Sequence, residues 1–192
     1  MLRWAPLVGV SILPIVVLWR IRRQRRRYGG AAVFFLESPR WNQKVRDGSS
    51  VLLASIAFGQ AATGATPPAA IVETAGLLLM FGAIVILVAA LLDLGASWRI
   101  GIDERSRPGL VTTGLYRFCR NPIFLALLAF LIGYTILLPT WLSVALSFGS
   151  FVLIRMQVLT EEQYLSKTYG SAYRDYAAHV GRFVPGIGKL RG

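Results

Sequence analysis

Five apolar blocks dominate this chain and restrict it to folds that place much of its length in lipid. They run over residues 4–19, 49–66, 71–94, 124–138 and 141–159. A helix needs about 20 mostly apolar residues to cross ~30 Å of hydrocarbon, a length the third and fifth blocks meet most clearly. The first and fourth are short, and Gly59, Gln60 and Gly64 dilute the second. A mean hydropathy of +0.56 agrees with the blocks, since soluble domains seldom sustain it. The expected fold is an all-α integral membrane protein of about five transmembrane helices.

The net charge of +12 invites a nucleic-acid reading, which its distribution opposes. With these spans, Arg3 alone lies on one side, and every other Lys and Arg falls in segments 20–48, 95–123 and 155–192 on the other. Cytoplasmic loops carry such an excess, so the expected topology has the N-terminus outside and the C-terminus cytoplasmic. RIRRQRRR (20–27) then follows the first span as a stop, and membrane lipids rather than nucleic acid are the expected partners. The first block has its positive charges after the apolar stretch and no small-residue cleavage site, so it reads as a retained span. Cys119 and His179 are the only residues of their types, which leaves no disulfide framework and no metal-ligand cluster. Arginines near Cys119 would lower its thiol pKa, although a small packing residue is the plainer role.

Residues 28–48 mix aromatic and basic side chains, as an interfacial segment does. TGATPP (63–68) reads as a turn. LLPTW (137–141) joins the fourth and fifth spans as a tight antiparallel hairpin, with Gly133, Ser143, Ser147, Gly149 and Ser150 letting the two approach. Beyond the hairpin, residues 160–185 repeat Tyr169, Tyr173, Tyr176 and Val180 at helical spacing, weakened by Gly170 and ended at Pro185. That aromatic stripe is expected to pack on the membrane surface or a neighbouring loop.

Two polar clusters meet at one end of the hairpin. RPGLVTTGLYRFCRNP (107–122) leads into it, and RMQVLTEEQYL (155–165) leaves it. Arg117, Arg120 and Asn121 are thereby brought near Gln157, Glu161 and Glu162, with Gln157 and Glu161 four apart on one helix face. Interfacial ion pairing would explain the charges alone. It explains less well Gly109, Thr112, Thr113, Gly114 and Pro122, which build an irregular backbone of the kind tolerated where it lines a cavity.

The order LVTTGLYRFCRNPIF, apolar hairpin, EEQYL, YGSAYRDY, RFVP resembles the isoprenylcysteine carboxyl methyltransferase family and its phospholipid methyltransferase relatives. LGASWRIGIDE (94–104) is similar to the bacterial branch, which suggests a bacterial inner membrane. The resemblance covers roughly residues 94–186 and implies a C-terminal helical hairpin with a cytoplasmic cofactor-binding segment. It divides the chain into N-terminal transmembrane helices and a basic interfacial segment (1–93) and a methyltransferase core (94–192). The cofactor it implies is S-adenosylmethionine. Matched position by position, the implied cofactor contacts are Pro108, Gly109, Leu110, Val111, Tyr116, Arg120, Asn121, Pro122, Ile123, Phe124, Glu161 and Glu162. No catalytic side chain and no metal are implied.

The chain departs from that pattern. Asn121 stands where the family has histidine, and Phe124 where it has tyrosine. The family's substrate-facing arginine falls on Gln157, the implied substrate contact. This change tilts the reading away from prenylated carboxylates, because a guanidinium binds a carboxylate bidentately and an amide does not. Arg155 lies about 200° around the helix from Gln157 and offers no obvious substitute.

The chemistry of the cofactor suits these residue types. A carboxylate such as Glu161 accepts from a ribose diol or an ammonium, and Arg117 or Arg120 suits the cofactor's carboxylate. Methyl transfer needs alignment and exclusion of water more than a general base. A G-x-G-x-x-G fingerprint is absent, against a Rossmann methyltransferase. The function expected is methyl transfer to a lipophilic small molecule or lipid at the membrane interface. The alternatives are a non-catalytic scaffold retaining this fold, which the Asn121 and Phe124 changes favour, and a small transporter. The latter is opposed by the lack of ionisable groups deep in the spans, Glu73 and Asp93 lying near span ends.

Overall fold

The structure, a computed structural model, describes residues 2–28, 41–64, 69–98 and 109–190. Six α-helices build it: α1 (Ala5–Tyr28), α2 (Trp41–Ala62), α3 (Ala70–Asp93), α4 (Pro122–Leu137), α5 (Trp141–Tyr169) and α6 (Ser171–His179). Among the described residues there is no β-strand, only one isolated parallel bridge between Cys119 and Gly181. Three helices, α1, α3 and α5, are long and apolar enough to cross a membrane, and α4 is a shorter apolar helix. The all-helical membrane fold expected from the apolar blocks is therefore observed.

Hydroxyls inside these apolar helices turn back on their own backbone. Ser11 donates to Leu7 O, Ser55 to Val51 O and Thr74 to Ala70 O, each four residues earlier. In hydrocarbon this satisfies a polar group without a partner helix.

The tightest helix pair is α3 and α4. A Cβ on Gly133 would lie 2.6 Å from Met80 N and 2.9 Å from Gly76 O, so glycine permits backbone-to-backbone approach here. Gly133 thus serves the α3–α4 crossing and not the α4–α5 hairpin for which the sequence suggested it. Gly149 likewise faces Leu53 of α2. The hairpin is held instead by hydroxyls: Thr135 and Ser147 Oγ atoms lie 2.7 Å apart, and Thr140 Oγ1 caps α5 by accepting from Ser143 N at 3.1 Å. Gln60, which diluted the second apolar block, ties three helices together. Its amide donates to Ser143 at 3.0 Å, and its carbonyl accepts from the Tyr134 hydroxyl at 3.0 Å.

At the opposite end, the basic stretch that closes α1 does more than set topology. Arg20 is almost fully buried; its Nε donates to Leu91 O at 3.1 Å and its Nη2 to Gly95 O, so a cation caps the C-terminus of α3. Gln24 supports it, accepting from Arg20 Nη1 at 2.8 Å and donating to Ala96 O at 3.0 Å.

α5 has 29 residues, about 43 Å of helix against ~30 Å of hydrocarbon, so its last turns stand beyond the apolar bundle. The single helix expected over 160–185 is not found. Those residues complete α5, break at Gly170 with φ +57°, and resume as α6, which ends at His179. A backbone turn in the left-handed region is open to glycine at little cost, and it folds α6 back toward the mouth of the hairpin.

Candidate functional site

Two adjacent glutamates near the end of α5 organise different structures. Glu162 is buried and forms ion pairs with Arg120 (Nη2 to Oε1, 3.0 Å) and Arg182 (Nη2 to Oε2, 2.8 Å). Asn121 Nδ2 also donates to Glu162 Oε1, at 3.2 Å, and to Arg182 O. All five guanidinium N–H groups of Arg120 are occupied: Glu162 takes two, and the carbonyls of Ala177, Val180 and Gly188 take the others. The Arg120 backbone N–H donates to Gly181 O at 2.9 Å. This network fastens the segment after α6 onto the entrance of α4. Glu162 holds the Arg182 guanidinium more firmly protonated than usual.

Glu161 faces a different environment. It lines a cavity of about 180 Å³ between the loop before α4, the end of α5, and α6. Gly109, Leu110 and Val111 form one wall in extended backbone outside any helix. Arg120, Asn121, Ile123 and Phe124 form another. Gly114 turns the chain between these walls with φ +60°, where any side chain would collide with the Asp93 carboxylate. Asp93 Oδ2 in turn accepts from Leu115 N at 2.8 Å, pinning the loop to the end of α3.

Five of the seven tyrosines line this cavity: Tyr116, Tyr164, Tyr169, Tyr173 and Tyr176. Tyr173 and Tyr176 stack edge to face at 6.2 Å, and the Tyr176 hydroxyl donates to Tyr116 O. Burial raises the hydroxyl pKa values of Tyr116 and Tyr176 and pushes Tyr173 up to about 12, so all three stay protonated near neutral pH. The Tyr173 hydroxyl is buried beside Arg120 without a hydrogen bond of normal geometry.

Sequence reasoning placed Gly109, Leu110, Val111, Tyr116, Arg120, Asn121, Ile123, Phe124 and Glu161 at one site, and the structure brings all nine to this cavity. Pro108 lies outside the described residues. Pro122 is buried as the first residue of α4, and Glu162 serves the ion-pair network. Arg117 is exposed, its guanidinium 4.4 Å from the Phe118 ring. Cys119 also differs from expectation: burial raises its thiol pKa, outweighing Arg120. The stripe of Tyr169, Tyr173 and Tyr176 does pack on the neighbouring loop, but it also lines the cavity. Its helical spacing was the signal; which way it faced depended on the break at Gly170.

A second hollow opens beside the first. A groove of about 450 Å³ runs between α1, α2, α4 and α5, and its walls are mostly apolar side chains such as Leu13, Leu53, Leu127 and Leu131. Gln157 lies in this groove and donates to Glu161 Oε1 at 2.6 Å. Cavity and groove share Ile123, Phe124 and Glu161.

Comparison with known proteins places the chain in a family. The family model for phospholipid methyltransferases matches residues 71–172, from the start of α3 to the start of α6. The chain belongs to the phospholipid methyltransferase family. It is 30% identical over 118 residues to protein-S-isoprenylcysteine O-methyltransferase A of Arabidopsis thaliana, covering 59% of each chain. It is 29% identical over 113 residues to protein-S-isoprenylcysteine O-methyltransferase of Dictyostelium discoideum, covering 57% of this chain and 47% of the relative. The chain thus spans about half to three fifths of the length of these curated relatives. A solved structure of the eukaryotic intramembrane Ras methyltransferase, an isoprenylcysteine carboxyl methyltransferase, superimposes with a TM-score of 0.60 at 20% identity. That superposition covers 90% of this chain and 62% of the other, and it shows a shared fold.

Within the family region, each wall of the cavity has a physical reason. Pro122 begins α4 at a position where a missing N–H costs nothing. Asn121 precedes it, and its amide holds Glu162 and Arg182 O instead of capping the helix.

Proposed function

We propose that this protein transfers a methyl group from S-adenosylmethionine to a lipophilic acceptor that approaches laterally from the bilayer. The observation that carries the reading is the shared wall: a tyrosine-lined polar cavity and an apolar groove meet at Ile123, Phe124 and Glu161. A donor in one and an acceptor in the other would face each other across that wall.

The residues of the cavity fit the cofactor. Glu161 offers a carboxylate to the ribose diol or the ammonium, and the tyrosine ring faces suit both the flat base and a cationic centre. The buried Tyr173 hydroxyl is an unsatisfied group that a polar ligand would complete. Arg120 has no spare donor, so its part is to hold the cavity wall through Glu162. The peptide groups of Gly109, Leu110 and Val111, in the extended wall of the cavity, would bind the cofactor's polar end. When bound, the cofactor supplies an electrophilic methyl on a sulfonium. The protein's share of the work is to align the two reactants and keep water out, which Ile123 and Phe124 do by sealing the junction.

In this reading residues 94–192 hold the cofactor, and residues 1–93 complete the acceptor groove. The cavity end of the bundle faces the cytoplasm of a bacterial inner membrane, in line with the Lys and Arg distribution. The departures at Asn121 and Phe124 favour a second reading, a non-catalytic scaffold of the same fold. Incubation of the purified protein with radiolabelled S-adenosylmethionine and a total membrane lipid extract separates the two: label in the organic phase supports the enzyme, and its absence alongside cofactor binding supports the scaffold.

A further inference from the structure

The groove holds one cation whose bonding is incomplete. Arg46, one turn into α2, is only 7% exposed and lines the groove together with Gln157 and Glu161. Its Nη1 donates to Thr160 Oγ1 at 3.0 Å and to Met156 O at 3.4 Å. Its Nε is buried with no hydrogen-bond partner. A buried N–H left unpaired is costly, and a charged one more so. The guanidinium is docked on α5 at Met156 and Thr160, flanking Gln157 and Glu161 on the same stretch of helix. It therefore stands beside the position at which this chain carries glutamine in place of arginine.

We infer that Arg46 is the specificity-determining residue for the acceptor, its guanidinium receiving an anionic group in the groove. The inference rests on the acceptor groove proposed above. Two contacts to α5 hold the guanidinium in the groove wall before any ligand arrives, which lowers the cost of binding. A planar fork binds a carboxylate or a phosphate oxygen more strongly than a point charge in the same place. Asp47 and Glu161 also line the groove. Glu161 is engaged by Gln157, and Arg46 is the one Arg or Lys among the described residues lining the groove. The aliphatic remainder of the acceptor lies along Leu53, Leu127 and Leu131, so the favoured class is a long apolar chain ending in a carboxylate or phosphate. This reverses the expectation drawn from Gln157 alone.

The test uses binding probes that need no turnover. Affinities of the full-length protein in neutral detergent are measured for dodecanoate, dodecyl phosphate and dodecanol, for wild type, Arg46→Gln and Arg46→Lys. Wild type should prefer at least one anionic probe over the alcohol by about tenfold or more, and the stronger of the two identifies carboxylate or phosphate as the group read. Arg46→Gln should abolish the preference while leaving the alcohol unchanged, and Arg46→Lys should restore only part of it. Equal binding of acid, phosphate and alcohol by wild type, or a preference that survives Arg46→Gln, overturns the inference. S-adenosylhomocysteine binding is measured on the same samples. Its retention in Arg46→Gln shows the variant is folded, and its absence from wild type counts against the methyl-transfer reading while leaving the anion result to stand or fall alone.

Discussion

Glu161 and Glu162 are neighbours in sequence that serve opposite purposes: Glu161 lines the cavity and bonds Gln157, and Glu162 clamps Arg120 and Arg182. A turn of about 100° between successive helical residues is enough to separate a ligand-facing carboxylate from a structural one.

Glu162→Gln is expected to destabilise the fold, because it leaves two arginines without their counter-ion. Removing one partner of a buried ion pair costs ~3–5 kcal/mol, reduced here because Arg182 is partly exposed. A thermal melt in detergent should show a clear drop for Glu162→Gln and little change for Glu161→Gln.

Arg120→Met should release the C-terminal segment while leaving the bundle intact. Five side-chain hydrogen bonds of Arg120 are lost, three of them to carbonyls at the end of α6 and beyond. Hydrogen exchange over residues 181–190 is the measurement, with fast exchange there and unchanged protection in α3 and α4 as the expected pattern.

Alkaline pH should weaken the fold through the cavity tyrosines. Tyr173 titrates at about 12 in the folded protein, above the ordinary value of 10, and burial moves Tyr116 and Tyr176 the same way. Above pH 10 the unfolded chain gives up tyrosine protons that the folded protein retains, so the tyrosines' contribution to stability is fully present below pH 10 and is lost as pH rises toward 12. Melts between pH 8 and 11 check the sign, and Tyr173→Phe should flatten part of the decline.

Cys119 should resist alkylation in the native protein. It is buried, and burial raises its thiol pKa, so little thiolate is present or reachable near neutral pH. Mass spectrometry after iodoacetamide treatment should find Cys119 unmodified until the protein is denatured.

Much of this was legible in the sequence because membrane helices announce themselves by length and apolarity. The five apolar blocks correspond to α1–α5, and LLPTW marks the hairpin turn. The nine cavity residues found in advance lie on motif positions at the hairpin mouth. What was not legible were contacts between distant elements. Gly133 could have served either face of α4, and only packing on Met80 decides which. Gln60 read as a dilution of apolar character, although Tyr134 and Ser143 make it a tie between helices. Arg20 read as one charge of a topology signal, since nothing in its neighbourhood named Leu91 and Gly95 as partners. Arg46 read only as one basic side chain of the interfacial segment 28–48, being more than a hundred residues from the Thr160 it bonds.

The most direct test of the account is calorimetric titration of S-adenosylhomocysteine into the detergent-purified protein and its Glu161→Ala variant. Saturable one-to-one binding by wild type, lost in a Glu161→Ala sample that melts normally, is the predicted result. A folded wild type that shows no binding, or binding that survives Glu161→Ala undiminished, would contradict a cofactor site at the junction of cavity and groove.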